Sequence, residues 1–208
     1  PVQGPASDAP VAETDRLWSR FLGPSGQGLS TSTNLPMQWD VTTGSNVVWK
    51  TAIPLSGYNS PVVWGDRVYL TGGDKRQRLV FAFDAGTGAL LWQQPVTPPA
   101  SPGQPKEPPD QSGQAACTVT TDGERVYAVF ATGELGALKS TGELAWHQQL
   151  DFSENGYGHA SSLVVWKGLL LVQADQGQES DGKSLLLAFD AATGQQRWAA
   201  KRPVGGSW

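Results

Sequence analysis

"LVFAFDAGTGALLWQQ" (residues 79–94) and "LLAFDAATGQQRWAA" (186–200) keep Ala-Phe-Asp, Thr-Gly and Trp at identical offsets. A third, looser copy, "ALKSTGELAW" (137–146), is one residue shorter and has Lys139 where the others have Asp. The three tryptophans stand four residues past their glycines at Trp92, Trp146 and Trp198, which sets periods of 54 and 52 residues. Self-similarity at a fixed period of this size marks a supersecondary unit that buries its apolar faces by stacking on its neighbours.

Each unit divides into four short strand-like pieces. The first holds "NSPVVW" (59–64), "RVYLTG" (67–72), "RLVFAFD" (78–84) and "ALLWQQPV" (89–96). The second holds "ACTVTT" (116–121), "RVYAVF" (125–130), "LGALK" (135–139) and "ELAWHQQL" (143–150). The third holds "ASSLVVW" (160–166), "LLLVQAD" (169–175), "SLLLAFD" (184–190) and "QQRWAA" (195–200). Tight turns separate pieces one and two at Gly65-Asp66, Asp122-Gly123 and Lys167-Gly168. Thr87-Gly88, Thr141-Gly142 and Thr193-Gly194 separate pieces three and four. Four antiparallel strands at a period near fifty residues read as β-propeller blades. Three blades are expected, over about 59–96, 115–150 and 160–200. An orphan outer strand is expected over 46–53 ("NVVWKTAI"), and the start of the next blade over 201–208. The chain therefore reads as an all-β, partial propeller, because a ring of typically four to eight blades needs more than three.

In the Asp-x-x-Thr-Gly turn, Gly accepts positive φ while the Asp and Thr side chains bond turn amides. Asp84 and Asp190 hold these places. Trp92, Trp146 and Trp198, with Trp49 ahead of them, are expected as large apolar groups that dock one blade on the next. Ala82 and Ala188 are small where a neighbouring indole would need room. The repeat is thus a structural element and not a chemical site.

These motifs resemble the A-x-D-x-x-T-G-x-x-x-W tryptophan-docking motif of the pyrroloquinoline-quinone-type (PQQ-like) propeller repeat. "WSRFLGPSGQG", "GYNSPVVWGDRVYL", "TDGERVYAVF", "GHASSLVVW" and "GGSW" extend the likeness from about Trp18 to Trp208, toward secreted bacterial PQQ-like repeat proteins and outer-membrane assembly scaffolds. The resemblance implies the fold. It leaves function open between quinoprotein dehydrogenases and binding scaffolds. The dehydrogenases carry a vicinal cysteine disulfide over the quinone, Ca²⁺ held by carboxylates and Asn, and a catalytic Asp. This chain has one cysteine, Cys117, and no dense acidic loop for Ca²⁺. No cofactor, metal or catalytic residue is expected.

Other features bound the function. The 208 residues carry 16% charged residues and a net charge of −4, so no basic patch invites nucleic acid. No apolar run reaches the length of a membrane-spanning helix. His147 and His159 lack metal-ligand spacing; a site with Asp151, Asp175 or Glu179 is the weaker reading beside solvated or capping roles. Ser161-Ser162 lies outside a nucleophile-elbow context, and Cys117 reads as a small core residue. "DQGQESDGK" (175–183) reads as a connection between strands.

Residues 1–17 read as a flexible Pro-, Ala- and Gly-rich segment, of the kind left when a secretory signal is cleaved, and 18–45 as an arm packing on the propeller. Seven prolines between Pro95 and Pro109 make a solvated insertion or a docking tail. Trp64 and Trp166, at equivalent blade rims, are candidates for binding a sugar ring or a partner side chain; covering the adjacent turn is the alternative. The expectation is a periplasmic, envelope-associated or secreted propeller, not membrane-spanning. It would bind a protein partner, with its missing blades coming from a longer chain or a second chain.

Overall fold

The computed structural model describes residues 17–33, 35–96 and 112–206. They form three four-stranded antiparallel sheets, each a meander. The first blade holds β1 (Val62–Trp64), β2 (Arg67–Gly73), β3 (Arg78–Asp84) and β4 (Leu90–Pro95). The second holds β5 (Thr120–Thr121), β6 (Arg125–Val129), β7 (Glu134–Lys139) and β8 (Leu144–Gln149). The third holds β9 (Val164–Trp166), β10 (Leu169–Ala174), β11 (Leu185–Asp190) and β12 (Gln196–Lys201). A 3₁₀ turn at Glu179–Asp181 interrupts the link between β10 and β11.

Alternation along the strands places each core. On β3, Val80 and Ala82 join Val62, Tyr69, Val119, Val126 and Leu138 between the first two blades. Leu79, Phe81 and Phe83 face the other way, onto Leu55, Val68 and Leu70. This two-sided burial explains why β3 is apolar almost throughout, as a sandwiched sheet requires. Tyr127, Leu135, Ala137, Leu163, Leu170 and Phe189 fill the space between the second and third blades.

Polar links add register. Thr118 Oγ1 accepts the Ser60 amide at 3.0 Å, and Ser162 Oγ accepts the Thr118 amide at 3.1 Å. One inner segment is thereby tied to the next, through all three blades. Arg78 and Glu134 form a buried ion pair between the first two blades at 2.6 Å.

Four expectations change. No strand forms over 46–53; Trp49 is held by its side chain, because no sheet stands beside it to complete a ladder. β5 covers only Thr120–Thr121 of the expected 116–121, since the amide of Thr118 goes to a neighbouring hydroxyl. Of the 18–45 arm, Trp18 pairs with Val63, and Ser19 O accepts the Thr121 amide at 3.0 Å. Much of the remainder stands open, with Leu29, Leu35, Met37 and Trp39 exposed. Lys201 completes β12, and Arg202 and Gly206 donate backbone bonds to Ser184 and Gly177, so residues through 206 belong to the third blade. Residues 1–16, nearly all of the proline-rich stretch and the final "SW" lie outside the described residues.

Candidate functional site

The recurring feature of the molecule is the joint between blades. Trp49 Nε1 donates to Ala85 O at 2.8 Å, Trp92 Nε1 to Ser140 O at 3.0 Å, and Trp146 Nε1 to Ala191 O at 2.9 Å. In each case the acceptor is the first residue of the next blade's outer turn. The glycine of that turn lies under the indole. A methyl on Gly88 would stand 2.5 Å from the Trp49 ring, one on Gly142 3.0 Å from Trp92, and one on Gly194 2.5 Å from Trp146. Those glycines have φ of 73°, 91° and 73°, so the turn needs glycine twice, for conformation and for clearance. Thr51 Oγ1 to Gly88 O and Gln148 Nε2 to Gly194 O reinforce two joints, at 2.8 and 3.0 Å.

Within each blade the tryptophan stands opposite a small residue: Ala82 pairs with Trp92, Ala137 with Trp146 and Ala188 with Trp198. The clearance for the neighbouring indole comes from glycine; Ala82 and Ala188 lie across the ladder from their own blade's ring. Tyr69 and Tyr127 flank Trp92 and Trp146, with centroids 5.9 and 6.0 Å away at the same 43° tilt.

The turn carboxylates are committed to backbone. Asp84 Oδ1 accepts from the Gly86 amide (3.1 Å), the Thr87 amide (2.7 Å) and Thr87 Oγ1 (2.7 Å). Asp190 Oδ1 accepts from Ala192, Thr193 and Thr193 Oγ1 in the same pattern, and its other oxygen takes Arg197 at 2.8 Å. The Thr87 hydroxyl holds the Asp84 carboxyl below the usual carboxylate range, and the Arg197 guanidinium does the same for Asp190. In the second blade Lys139 replaces the aspartate; the turn keeps both backbone bonds, Gly142 N to Lys139 O and Lys139 N to Glu143 O, each 2.8 Å, and gains a Lys139–Glu143 ion pair at 2.9 Å in place of the carboxylate's bonds.

A fourth turn of this kind precedes the first blade. Asp40 Oδ1 accepts the Thr42 and Thr43 amides, at 2.7 and 3.3 Å. Gly44 N donates to Asp40 O, and Asp40 N to Ser45 O, reproducing the bonds around Asp84 and Asp190. Gly44 has φ 78°. The signal was present as "DVTTG" (40–44), but Trp49 follows Gly44 by five residues rather than four, which hid the turn from a fixed-offset reading.

The rim tryptophans separate. Trp64 is half-buried and lies on Gly123 of the next blade, whose methyl would stand 2.6 Å from the ring. Trp166 is 57% exposed, with Lys167 Nζ 4.6 Å from its ring centroid.

The residues with chemical potential are held in structural places. Cys117 is buried, its thiol pushed up by burial, and it donates to His159 O at 3.3 Å. His159 stacks on Phe152 at 4.1 Å, and burial lowers its pKa to about 4. Asp175 pairs with Arg202 at 2.7 Å, and Asp151 accepts the Ser153 amide at 2.9 Å. Among the described residues no three of His, Cys, Asp or Glu come together as a metal site. A cavity of about 520 Å³ borders the second and third blades, lined by Asp151, Phe152, Glu154, Gln176, Lys183 and Leu187 among others. Its Lys183 and Glu154 pair with each other at 3.2 Å. Among the described residues no helix is long and apolar enough to cross a membrane.

A family model described as outer membrane protein assembly factor BamB matches residues 28–207. No curated protein matches the chain significantly. Among solved structures, BamB from Moraxella catarrhalis is similar with a TM-score of 0.52 at 19% identity, over 75% of this chain and 43% of that one. Quinohemoprotein alcohol dehydrogenase ADHIIG from Pseudomonas putida HK5 gives 0.52 at 23% identity, over 74% and 22%. The corresponding enzyme from Comamonas testosteroni gives 0.51 at 22%, over 71% and 21%. The chain thus spans less than half the length of these structures, and at such identities the likeness is one of fold.

Proposed function

This chain belongs to the PQQ-like propeller family described as outer membrane protein assembly factor BamB, and on that premise we propose that it is a non-catalytic, protein-binding part of a propeller scaffold in the bacterial envelope or secreted space. The observation that carries this reading is the kind of surface left open. Leu29, Leu35, Met37, Trp39, Val41 and Val48 are exposed along one N-terminal stretch, with Trp166 exposed on the third blade. Large apolar side chains gathered on a surface mark interaction sites. Meanwhile Cys117, His159 and the turn aspartates are buried or bonded. The remaining blades come from a longer polypeptide or from a second chain. Trp49, Trp92 and Trp146 serve as docking groups, and Trp64 shares that role through Gly123.

The other reading, a portion of a quinone- or carbohydrate-handling enzyme whose active residues lie elsewhere, draws on the fold shared with the quinohemoprotein alcohol dehydrogenases. The residues present do not fit a quinone held as in those enzymes, because a lone buried cysteine cannot form a vicinal pair.

A photo-crosslinking amino acid placed at Leu29 or Trp166, in cells that make the protein, tests the scaffold reading. Discrete adducts with another protein, absent when the probe stands at exposed Lys201, are expected. Adducts no different from that control would overturn it. A melting temperature raised by several degrees on adding micromolar quinone and Ca²⁺ would favour the enzyme reading instead.

A further inference from the structure

The joint between the second and third blades differs from the one before it, and the repeat shows how. Counted from the alanine opposite each tryptophan, Arg78 on β3 corresponds to Gly133 ahead of β7, and Glu134 on β7 corresponds to Leu185 on β11. Between the first two blades the Arg78 guanidinium reaches Glu134 at 2.6 Å. Beside it Val96 is fully buried against Gly136, where a methyl would stand 2.7 Å from the valine. Between the second and third blades, glycine stands for the arginine, leucine for the glutamate, and Leu187 for Gly136. Leu150, in the place of Val96, is only partly buried. The cavity of about 520 Å³ opens there. Its walls belong to the chain leaving β8 and to the third blade, both among the described residues.

The lining suits a cation on an apolar stem. Leu185 and Leu187 supply apolar surface, and the charged residues are Asp151, Glu154 and Lys183, two carboxylates against one ammonium. Both carboxylates stand on backbone fixed by one buried amide. Gln176 Nε2 donates to Asp151 O at 3.1 Å, and Gln176 Oε1 accepts the Glu154 amide at 3.3 Å. Among the described residues the Asp151 carboxylate accepts only from Ser153, while Glu154 pairs with Lys183 at 3.2 Å. One negative charge is left over on a fixed frame.

We propose that this cavity is a socket for an arginine side chain of a partner protein. The methylenes lie along Leu185 and Leu187, and the guanidinium displaces Lys183 from Glu154 and takes Asp151 as its second acceptor. Arginine fits better than lysine, because a planar fork serves two carboxylates at once. The first joint makes the same kind of contact internally, with Arg78 set between two sheets. An arginine seated in a pocket is also among the residues that carry most of the energy of protein interfaces. The socket rests on the scaffold reading and names the chemistry that its partner presents.

An NMR titration of the protein with N-acetyl-arginine amide tests it. The controls are the citrulline analogue, which has the same shape without the charge, and N-acetylglucosamine. The Ser153 amide, bonded to Asp151, and the Gly182 amide at the cavity wall are the reporters. Saturable shifts at both are expected with the arginine compound. Its affinity should exceed that of the citrulline compound by about fivefold, the upper range for one exposed charge pair. Asp151→Asn with Glu154→Gln keeps size and the backbone bonds to Gln176, and should remove that preference. Lys183→Met should strengthen arginine binding, since it removes the cation that competes for Glu154. Shifts that are absent, or equal with citrulline, or stronger with N-acetylglucosamine, would overturn the socket. So would a Lys183→Met protein that binds arginine no better than the wild type. The crosslinking positions Leu29 and Trp166 lie outside this cavity, so failure there overturns the scaffold reading and failure of the titration overturns the socket.

Discussion

Trp146 and Gly194 occupy one shared space: the indole bonds Ala191 O at 2.9 Å, and a methyl on the glycine would stand 2.5 Å from the ring. The two residues belong to different blades, 48 positions apart, and each is fitted to the other. The stability of the stack is therefore concentrated at a few points and can be measured point by point.

Trp146→Ala should destabilise by about 3–5 kcal/mol, the usual range for removing a buried aromatic ring. Trp198→Ala, at a 40% exposed position, should cost under about 1 kcal/mol, as surface substitutions generally do. Trp64→Ala should likewise cost more than Trp166→Ala, because only Trp64 has a glycine to cover. Urea midpoints measured at low protein concentration check both comparisons; equal midpoints within a pair would contradict the joint.

Gly194→Ala and Gly44→Ala both place alanine at positive φ, 73° and 78°. Both incur that strain, but only the first meets an indole. Gly194→Ala should be the more destabilising by about 1–3 kcal/mol, the cost of overpacking a fitted interior. Thermal unfolding of the two variants reads the difference directly.

Glu134→Ala should destabilise by about 3–5 kcal/mol, since it strands the Arg78 guanidinium in a buried interface. Replacing both partners with apolar residues, Arg78→Met with Glu134→Leu, should recover most of that loss. A denaturant titration of the single and double variants distinguishes a costly orphan charge from a strongly favourable pair.

Acid should unfold the chain in two stages. His159 has a folded pKa near 4, below its ordinary 6.5, so the folded state favours the neutral ring. Its contribution is fully present above 6.5 and is lost as pH falls toward 4, on the order of 3 kcal/mol in all. Asp40, Asp84 and Asp190 are held below their ordinary 3.8, so their contributions persist above that value and are lost below it. His159→Gln should flatten stability against pH between 6.5 and 4 and leave the steeper loss below. Asp84→Asn should soften only the lower stage.

The repeat was legible because its strongest markers are local. Asp-x-x-Thr-Gly closes a turn whatever surrounds it, and alternating apolar residues fix the strands on either side; β3 falls on the same residues, 78–84, that the pattern marks. Trp49 is marked by "NVVWKTAI", a lone copy of the repeat's outer strand, yet that strand does not form, since pairing depends on a neighbour that 46–53 does not have. The turn at Asp40–Gly44 is hidden in the sequence for a different reason. It is complete, but one added residue before Trp49 breaks the spacing. The partner of each indole was not legible either. Which glycine a ring covers depends on how far one sheet is rotated on the next, and no periodicity along the chain encodes that angle.

The joints also have a direction in time. Trp49, Trp92 and Trp146 each reach forward, to Gly88, Gly142 and Gly194, which lie 39, 50 and 48 residues later in the chain. At ordinary rates of synthesis each indole waits roughly 2–10 seconds on the ribosome before its shelter has been made. Every newly finished sheet thus emerges with a bare aromatic ring at its leading face. A chaperone that recognises single exposed tryptophans would meet this protein repeatedly, once per blade, at intervals set by translation.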